Sequence, residues 1–494
     1  MGYTLRRRLL PGLAGAALVF VVSTANTAAA ALPIPSAPGP LLVPRFIGSA
    51  ATADPIASYP VPQHPHLAPN GRNNMHNDAY ATDAYTGPGP LGRAPVVTTR
   101  SYGVEECATE AFDAAGRIVA LCGNLRGPVL RLINPRTLAI IATKQLPPRN
   151  IRPGTSPLSD LCGGTYFYLD DQDRAVVATT DRHVAVIAES LFGFVQRRSY
   201  DVSSAVPSTD CLIALMPDWS GRIWFESGNG IVGSIDPDTG RVRFVQLAGE
   251  IIDNSFAVDE TGGVFIVSDH ALYRFDAGPD GTPIVTWRQA YDRGTQLKTG
   301  QLAQGSGTTP TLVGPDLVAI TDNAEPRMNV LVYQRGKDSG GQPVCGAPVF
   351  GEGASATENS LVAVGDSLLV ENNYGYKDPT STLLGATTTP GIAKVDVVDG
   401  SCQVAWTSNQ VAPTSVPKAS LATGLLYVYT KPRTVLADAW YFTAIDIRTG
   451  RTVFSKLTGT GPGFNNHYAA VYLGPDGTAY IATLAGMVRI KDSY

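Results

Sequence analysis

The sequence predicts an all-β chain, built as an eight-bladed β-propeller and closed by an N-terminal strand. Three observations carry this reading. Only 16% of the residues are charged while 51 are Gly and 37 are Pro, a poor composition for long amphipathic helices with charged outer faces. From about residue 96 onward, short apolar runs alternate with Asp/Gly turns. A self-comparison at a spacing of about 50 residues lines these runs up as repeats, the mark of a radial or stacked array.

The elements follow in chain order. Arg6, Arg7 and Arg8, the apolar run from Leu9 to Val22 and the small residues Ala28, Ala29 and Ala30 give residues 1–30 the three parts of a secretory signal. The apolar run is shorter than the roughly 20 residues a spanning helix needs, so cleavage and export are expected. Without residues 1–30 the chain has 35 basic and 42 acidic residues, a net charge of -7. That balance argues against nucleic acid and against adsorption to anionic membranes. No later segment is apolar enough to span a bilayer, and a monomer is expected. Residues 31–95 form a Pro-rich extension, within which the polar stretch 69–85 stands apart. It either caps the channel mouth as a lid or packs on the outer edge of the last blade.

The propeller itself occupies 96–494. Tight turns at Asp113 to Gly116, Asp218 to Gly221, Asp259 to Gly262 and Pro475 to Gly477 each precede a second strand, at 117–121, 222–225, 264–267 and 478–482. First strands begin near Cys107, Cys162, Cys211, Asn254, Thr309, Asn359, Lys418 and His467, spaced 43 to 59 residues apart. This gives eight units, with seven blades and one strayed repeat as the alternative. The last unit runs out after its third strand, 487–490, so 96–99 is the natural donor of the fourth. Such a closure leaves no open edge between the first and last blades.

The six cysteines of an exported chain read as disulfides, since none is spaced C-x-x-C. The start of a first strand lies opposite the end of its second, which pairs Cys107 with Cys122. Cys162 and Cys211 hold equivalent places in consecutive blades and form the second pair. Cys345 and Cys402, both early in fourth strands, are left for each other.

Ser234-x-Asp236-x-x-Thr239-Gly240-x-x-x-Phe244 and Ala444-x-Asp446-x-x-Thr449-Gly450-x-x-x-Phe454, with a looser copy from Ala393 through Asp396 to Gly400 and Trp406, resemble the blade motif A-x-D-x-x-T-G-x-x-x-W of the quinoprotein-like propellers. The resemblance implies the fold superfamily and says little about activity. Quinone dehydrogenases of that superfamily pair PQQ with calcium and a vicinal cysteine pair. This chain has no adjacent cysteines, which counts against PQQ.

Function is expected on the face that carries the long polar connections, because a rigid scaffold usually bears its binding groups on loops. The first strands start there, and they offer Glu106, Asp160, Asp210, Asp253, Asn254, Thr309, Glu358, Asn359, Lys418 and His467 to the channel mouth. Strand ends add Asp322, Asn323, Glu371, Asn372 and Asn373, and the 69–85 segment adds His76. Asp160, Asp210, Asp253 and Glu358 are hard oxygen donors of the kind Ca²⁺ takes. Asp210, Glu358 and His467 are the candidate catalytic groups. A merely solvated channel stays open beside a metal site and a metal-free cluster. No nucleotide loop, nucleophile elbow or zinc-protease motif occurs. Two functions remain level: a Ca²⁺-assisted, lactonase-like hydrolase, and a non-catalytic module holding a small polar ligand or a polysaccharide. A PQQ oxidoreductase is third.

Overall fold

The computed structural model describes residues 32–37, 43–124, 126–149, 161–162, 166–434 and 437–493. Residues 1–30, expected to be a secretory signal, and Asp160 lie outside them. Eight sheets, each built on an antiparallel four-stranded blade, follow one another along the chain and close into a ring of eight blades, which removes the seven-bladed alternative. The innermost strands are Glu106–Phe112, Phe167–Leu169, Leu212–Pro217, Ala257–Val258, Thr311–Val313, Val362–Val364, Lys418–Ser420 and Val471–Leu473. Most begin one to four residues from the expected starts. In blade 2 the strand begins five residues late, because Cys162 belongs to the connection before it.

Blade 8 takes its outer strand from the N-terminal side, as the sequence requires. Val96–Ser101 pairs antiparallel with Gly486–Lys491, Val97 opposite Ile490 and Thr99 opposite Val488. All three disulfides have the expected pairing, with Cα–Cα distances of 3.8 Å for Cys107–Cys122 and 5.4 Å for both Cys162–Cys211 and Cys345–Cys402. Outer strands also dock through tryptophan. Trp406 of blade 6 donates its indole N–H to the Ile447 carbonyl of blade 7 at 3.0 Å. A Cβ on Gly450 (φ 71°) would fall 2.6 Å from that ring, so the glycine both allows the turn and leaves the indole its seat.

The N-terminal extension departs from both expectations. Residues 67–85 neither cover the loop-rich mouth nor lie outside the last blade. They run inside the ring, toward the tight-turn face, as a plug. The carbonyls of Arg72, Asn73, Ala79, Tyr80, Thr82 and Asp83 accept hydrogen bonds from Phe112, Leu169, Val258, Leu312, Ala363 and Ala419, in the inner strands of six blades. Each innermost strand has one free edge whose N–H groups need acceptors, and the plug supplies them by circling the channel. Ala84–Tyr85 then pairs parallel with Lys418–Ser420. Upstream, Phe46–Gly48 adds an outer strand to the same blade against Thr452–Thr460. Blade 7 therefore holds six strands, four of its own and two from the extension.

Candidate functional site

The floor of the channel is built by the plug. Asn77, Ala81 and Asp83 all have left-handed backbones, with φ of 61°, 53° and 56°, costly for non-glycine residues and characteristic of segments held for a purpose. The bends bring Asp83 under two partners. One carboxylate oxygen pairs with the Lys418 ammonium, and both oxygens lie 3.2–3.3 Å from His76 Nδ1. All three side chains are buried. With Asp83 at Nδ1, the Nδ1–H tautomer of His76 is favoured, which leaves Nε2 as an acceptor. Nε2 is buried and has no hydrogen-bond partner among the described residues. Behind it, Asp78 accepts from Thr82 and from the Tyr80 N–H, and burial lifts its pKa to about 7.

Above the floor the ionisable lining is largely carboxylic. Glu226 lies one residue before the end of the second strand of blade 3, Ile223–Ser227, fully buried, with both oxygens unpartnered among the described residues. Glu110 on the inner strand of blade 1 is in the same condition. Glu106 and Glu358 are half-buried, each with one unpartnered oxygen. Desolvation holds all four well above the ordinary carboxyl range. Asp253 rises to about 6 through burial and the charge of Asp269. Glu371 rises to about 8 through burial, against the hydrogen bonds it accepts from Asn373 and Asn359. Glu226, Asp253 and Glu358 lie in one region around Tyr166, whose phenol pKa is raised first by desolvation and then by the charges of Glu358, Glu226 and Asp253. Tyr166 in turn stacks on His76, ring centroids 6.2 Å apart.

Aromatic residues complete the mouth. His467 and Tyr468 are consecutive left-handed residues, φ 37° and 69°. The Tyr376 hydroxyl lies 2.9 Å from His467 Nδ1, and Tyr468 packs edge-on against Tyr376.

The sequence candidates divide. His76, Glu106, Asp253, Glu358, Glu371 and His467 are linked through the Tyr166, Tyr376 and Tyr468 side chains. Lys418 is the partner of Asp83. Asn359 and Asn373 hold the Glu371 carboxyl, and Asn373 also receives the Glu358 N–H at 2.7 Å. Others have structural duties instead. Both oxygens of Asp210 are engaged, by Ser227 Oγ and by the N–H groups of Cys211 and Asn229, so it closes the turn after the second strand. Asp322 clamps Asn329 across a loop. Asn323 donates to the Arg293 and Gln296 carbonyls, and Asn372 to those of Ala354 and Pro390. Asn254 donates to the Ser306 carbonyl, and Thr309 is buried with its carbonyl facing Thr311 Oγ1.

The four proposed metal ligands are not assembled as a set. Asp160 is outside the described residues, and Asp210 is committed to its turn. Among the described residues the one group of three ligand atoms within 4.8 Å is Glu105, Cys107 and Cys122, and its two sulfurs form a disulfide. Sequence reasoning missed Glu110, Glu226 and Asp83. The first two carry a legible signal, a glutamate inside an otherwise apolar strand (Cys107-Ala-Thr-Glu110-Ala-Phe112 and Ile223-Trp-Phe-Glu226). Asp83 carries none, since only the path of the plug brings it to Lys418.

No family model matches the chain. An uncharacterised protein of Archaeoglobus fulgidus is 28% identical over 324 residues, which are 58% of this chain and 62% of that protein. The match thus spans under two thirds of the relative. Among solved structures, a europium-containing methanol dehydrogenase aligns over 83% of this chain and 88% of its own, with 12% identity and a TM-score of 0.51. The quinohemoprotein alcohol dehydrogenase of Comamonas testosteroni aligns over 87% of this chain and 81% of its own, with 12% identity and a TM-score of 0.53. At these identities the likeness is one of fold, and the fold of this chain is the quinoprotein-like eight-bladed propeller.

Proposed function

We propose that the chain is an exported propeller that binds a hard divalent cation together with a small or extended polar ligand, such as an oligosaccharide, in the chamber between plug and mouth. One observation carries the reading: Glu226, Glu358 and Glu371 each hold a buried carboxyl oxygen that no described side chain or backbone group satisfies. A buried acceptor without a partner costs free energy, and a cation with a hydroxyl-bearing ligand would satisfy these oxygens. Export agrees with the three disulfides.

Of the groups used by quinoprotein dehydrogenases, the donor set suits one. Oxygen donors from Glu and Asp are of the kind Ca²⁺ takes, but Glu226, Asp253 and Glu358 do not bring their carboxyl oxygens within 4.8 Å of one another, so these side chains would have to close on the ion to hold it. Bound there, the ion would polarise a ligand carbonyl or hydroxyl. PQQ does not fit. It is an anionic tricarboxylate, and the chain offers it no vicinal cysteine pair, while the ionisable groups described at this site are largely carboxyls. If the ligand is also a substrate, His76 Nε2 is the group placed to take a proton, with Asp83 orienting the ring and Lys418 fixing Asp83. A hydrolase needs that step and a pure binding module does not.

Thermal melting of residues 31–494 in EGTA and in Ca²⁺ tests the proposal. A site filled at about 100 times its Kd stabilises the native state by about 2.7 kcal/mol. The shift is expected to vanish in Glu226→Gln and Glu358→Gln, which should melt no lower than wild type in EGTA. No Ca²⁺ shift in the wild type removes the cation, and an equal shift in both variants removes this site for it.

A further inference from the structure

The connection from the outer strand of blade 4 to the inner strand of blade 5, residues 291–310 between Pro283–Ala290 and Thr311–Val313, carries no regular element. Compact folds seldom keep an unstructured connection beyond about 12–15 residues unless it works as a lid or a binding loop. It first passes over the end of the second strand of blade 5, where Asn323 donates to the Arg293 and Gln296 carbonyls and Lys298 Nζ donates to the Ala324 carbonyl at 2.6 Å. It then reaches blade 6, where the Gly375 N–H donates to the Thr299 carbonyl at 3.2 Å. At Gly300 it meets blade 8, whose Tyr468 hydroxyl donates to the Gly300 carbonyl at 3.4 Å. Blades 4 and 8 stand opposite each other in a ring of eight, so the loop reaches across the channel mouth. It returns over Glu358: a Cβ on Gly307 would fall 2.8 Å from Glu358 Oε2. Burial raises the pKa of that carboxyl, and the Leu302 N–H acts against the rise.

Root and tip of this loop are held differently. At the root Arg293 pairs with Asp269, and the Tyr291 hydroxyl donates to the Ser268 carbonyl while accepting the Ser306 N–H. The tip, residues 299–302, meets blades 6 and 8 through polar backbone contacts. Among the described residues, none from 292 to 307 joins the hydrophobic core, and Leu297 is 52% exposed. A segment with so few apolar contacts opens at little cost while the core stays shut. Left-handed glycines flank the tip, Gly294 at φ 68° and Gly305 at φ 120°, positions able to absorb the backbone rotation of a hinge. Gly300 at the tip has φ 108°, and a Cβ there would fall 2.4 Å from the Asn373 carbonyl oxygen. Only glycine lets the tip settle on blade 6.

We infer that residues 294–305 are a lid over the channel mouth, which swings on Gly294 and Gly305 and shuts by seating Gly300 on blade 6 beside the Tyr468 hydroxyl. Its role as a gate rests on the chamber proposed above. Its motion is measured in EGTA without a ligand, so a failed lid and a failed cation site give different results. Hydrogen exchange of residues 31–494 reads the opening, and carbodiimide coupling of glycine ethyl ester to Glu358, followed by peptide mass spectrometry, reads what opening exposes. The amides of 297–304 are expected to exchange at a rate that sub-denaturing urea leaves unchanged, while those of Leu212–Pro217 follow global unfolding. Gly300→Ala, which cannot seat, should raise the exchange of 297–304 and the coupling at Glu358 about tenfold, with coupling at the exposed Glu352 unchanged. Tyr468→Phe, which loses only the hydroxyl contact, should raise both about threefold, and it decides alone if Gly300→Ala melts below wild type. Loop exchange that climbs with urea in step with Leu212–Pro217, or coupling at Glu358 that stays at the wild-type rate in the variants, overturns the lid.

Discussion

Replacing Asp83 by Asn tests whether the plug is anchored by charge. The Asp83 and Lys418 side chains are both wholly buried, and Lys418 otherwise faces the Tyr472 ring, 5.9 Å from its centroid. Asn keeps the shape and tolerates the left-handed backbone at φ 56°, so charge is the main change. Breaking a buried pair from one side leaves the other ion uncompensated, at a cost of about 3–5 kcal/mol. Unfolding entropy of about 2.1 cal/mol/K per residue gives roughly 1 kcal/mol/K for the chain from Leu32 to Tyr494, so Tm should fall by about 3–5 °C. Urea unfolding followed by the emission of the buried Trp224 and Trp440 measures the loss directly. Burial lowers the Lys418 pKa while Asp83 raises it. Without Asp83 the lysine sheds its proton more easily, and the deficit should shrink as pH rises. The double variant Asp83→Asn/Lys418→Met, which retains neither charge, should recover most of the loss. A single variant costing under about 1 kcal/mol, or a double variant that loses the sum of the two single changes, would refute the anchor.

Three further outcomes are expected. Burial pushes the Glu371 pKa up to about 8, against about 4.5 for an ordinary glutamate, so the native state holds a proton that the unfolded chain releases. Its contribution is complete below pH 4.5 and is lost as pH climbs toward 8. Melting in EGTA should fall over that range, fall less in Glu371→Gln, and be rescued by Ca²⁺ more at pH 8 than at pH 5. The Cys345–Cys402 bridge closes a separation of 57 residues, so Cys345→Ser/Cys402→Ser should lose about 2–4 kcal/mol in denaturant titration. Deleting residues 32–92 removes the acceptors of six inner strands and should give insoluble protein, whereas a soluble product with an unchanged melt would show that the plug is dispensable.

Much of the architecture was legible because it is local. A turn such as Asp218 to Gly221 dictates its own reversal, and alternation fixes which strands flank it. Eight such units in a row leave the eighth one strand short, and the 96–99 strand could be assigned to it by counting alone. The disulfides followed from strand register in the same way. The site was legible at a few residues, Glu106, Glu358, Glu371 and His467, because strand starts and ends reach the mouth in any propeller. Asp210 and Asp322 look the same in sequence, yet their oxygens are spent on turns, and spacing does not distinguish a carboxylate that closes a turn from one that faces a channel.

By itself the sequence determined the repeat, the closure and the cysteine pairs, all properties of neighbouring strands with short-range geometry. Only the tertiary structure decided the course of residues 67–85, because a polar segment without periodicity carries no record of which free strand edges it will satisfy. That course places Asp83 between His76 and Lys418, residues 335 positions apart in the case of the ion pair, and so sets which of the buried charges are paired.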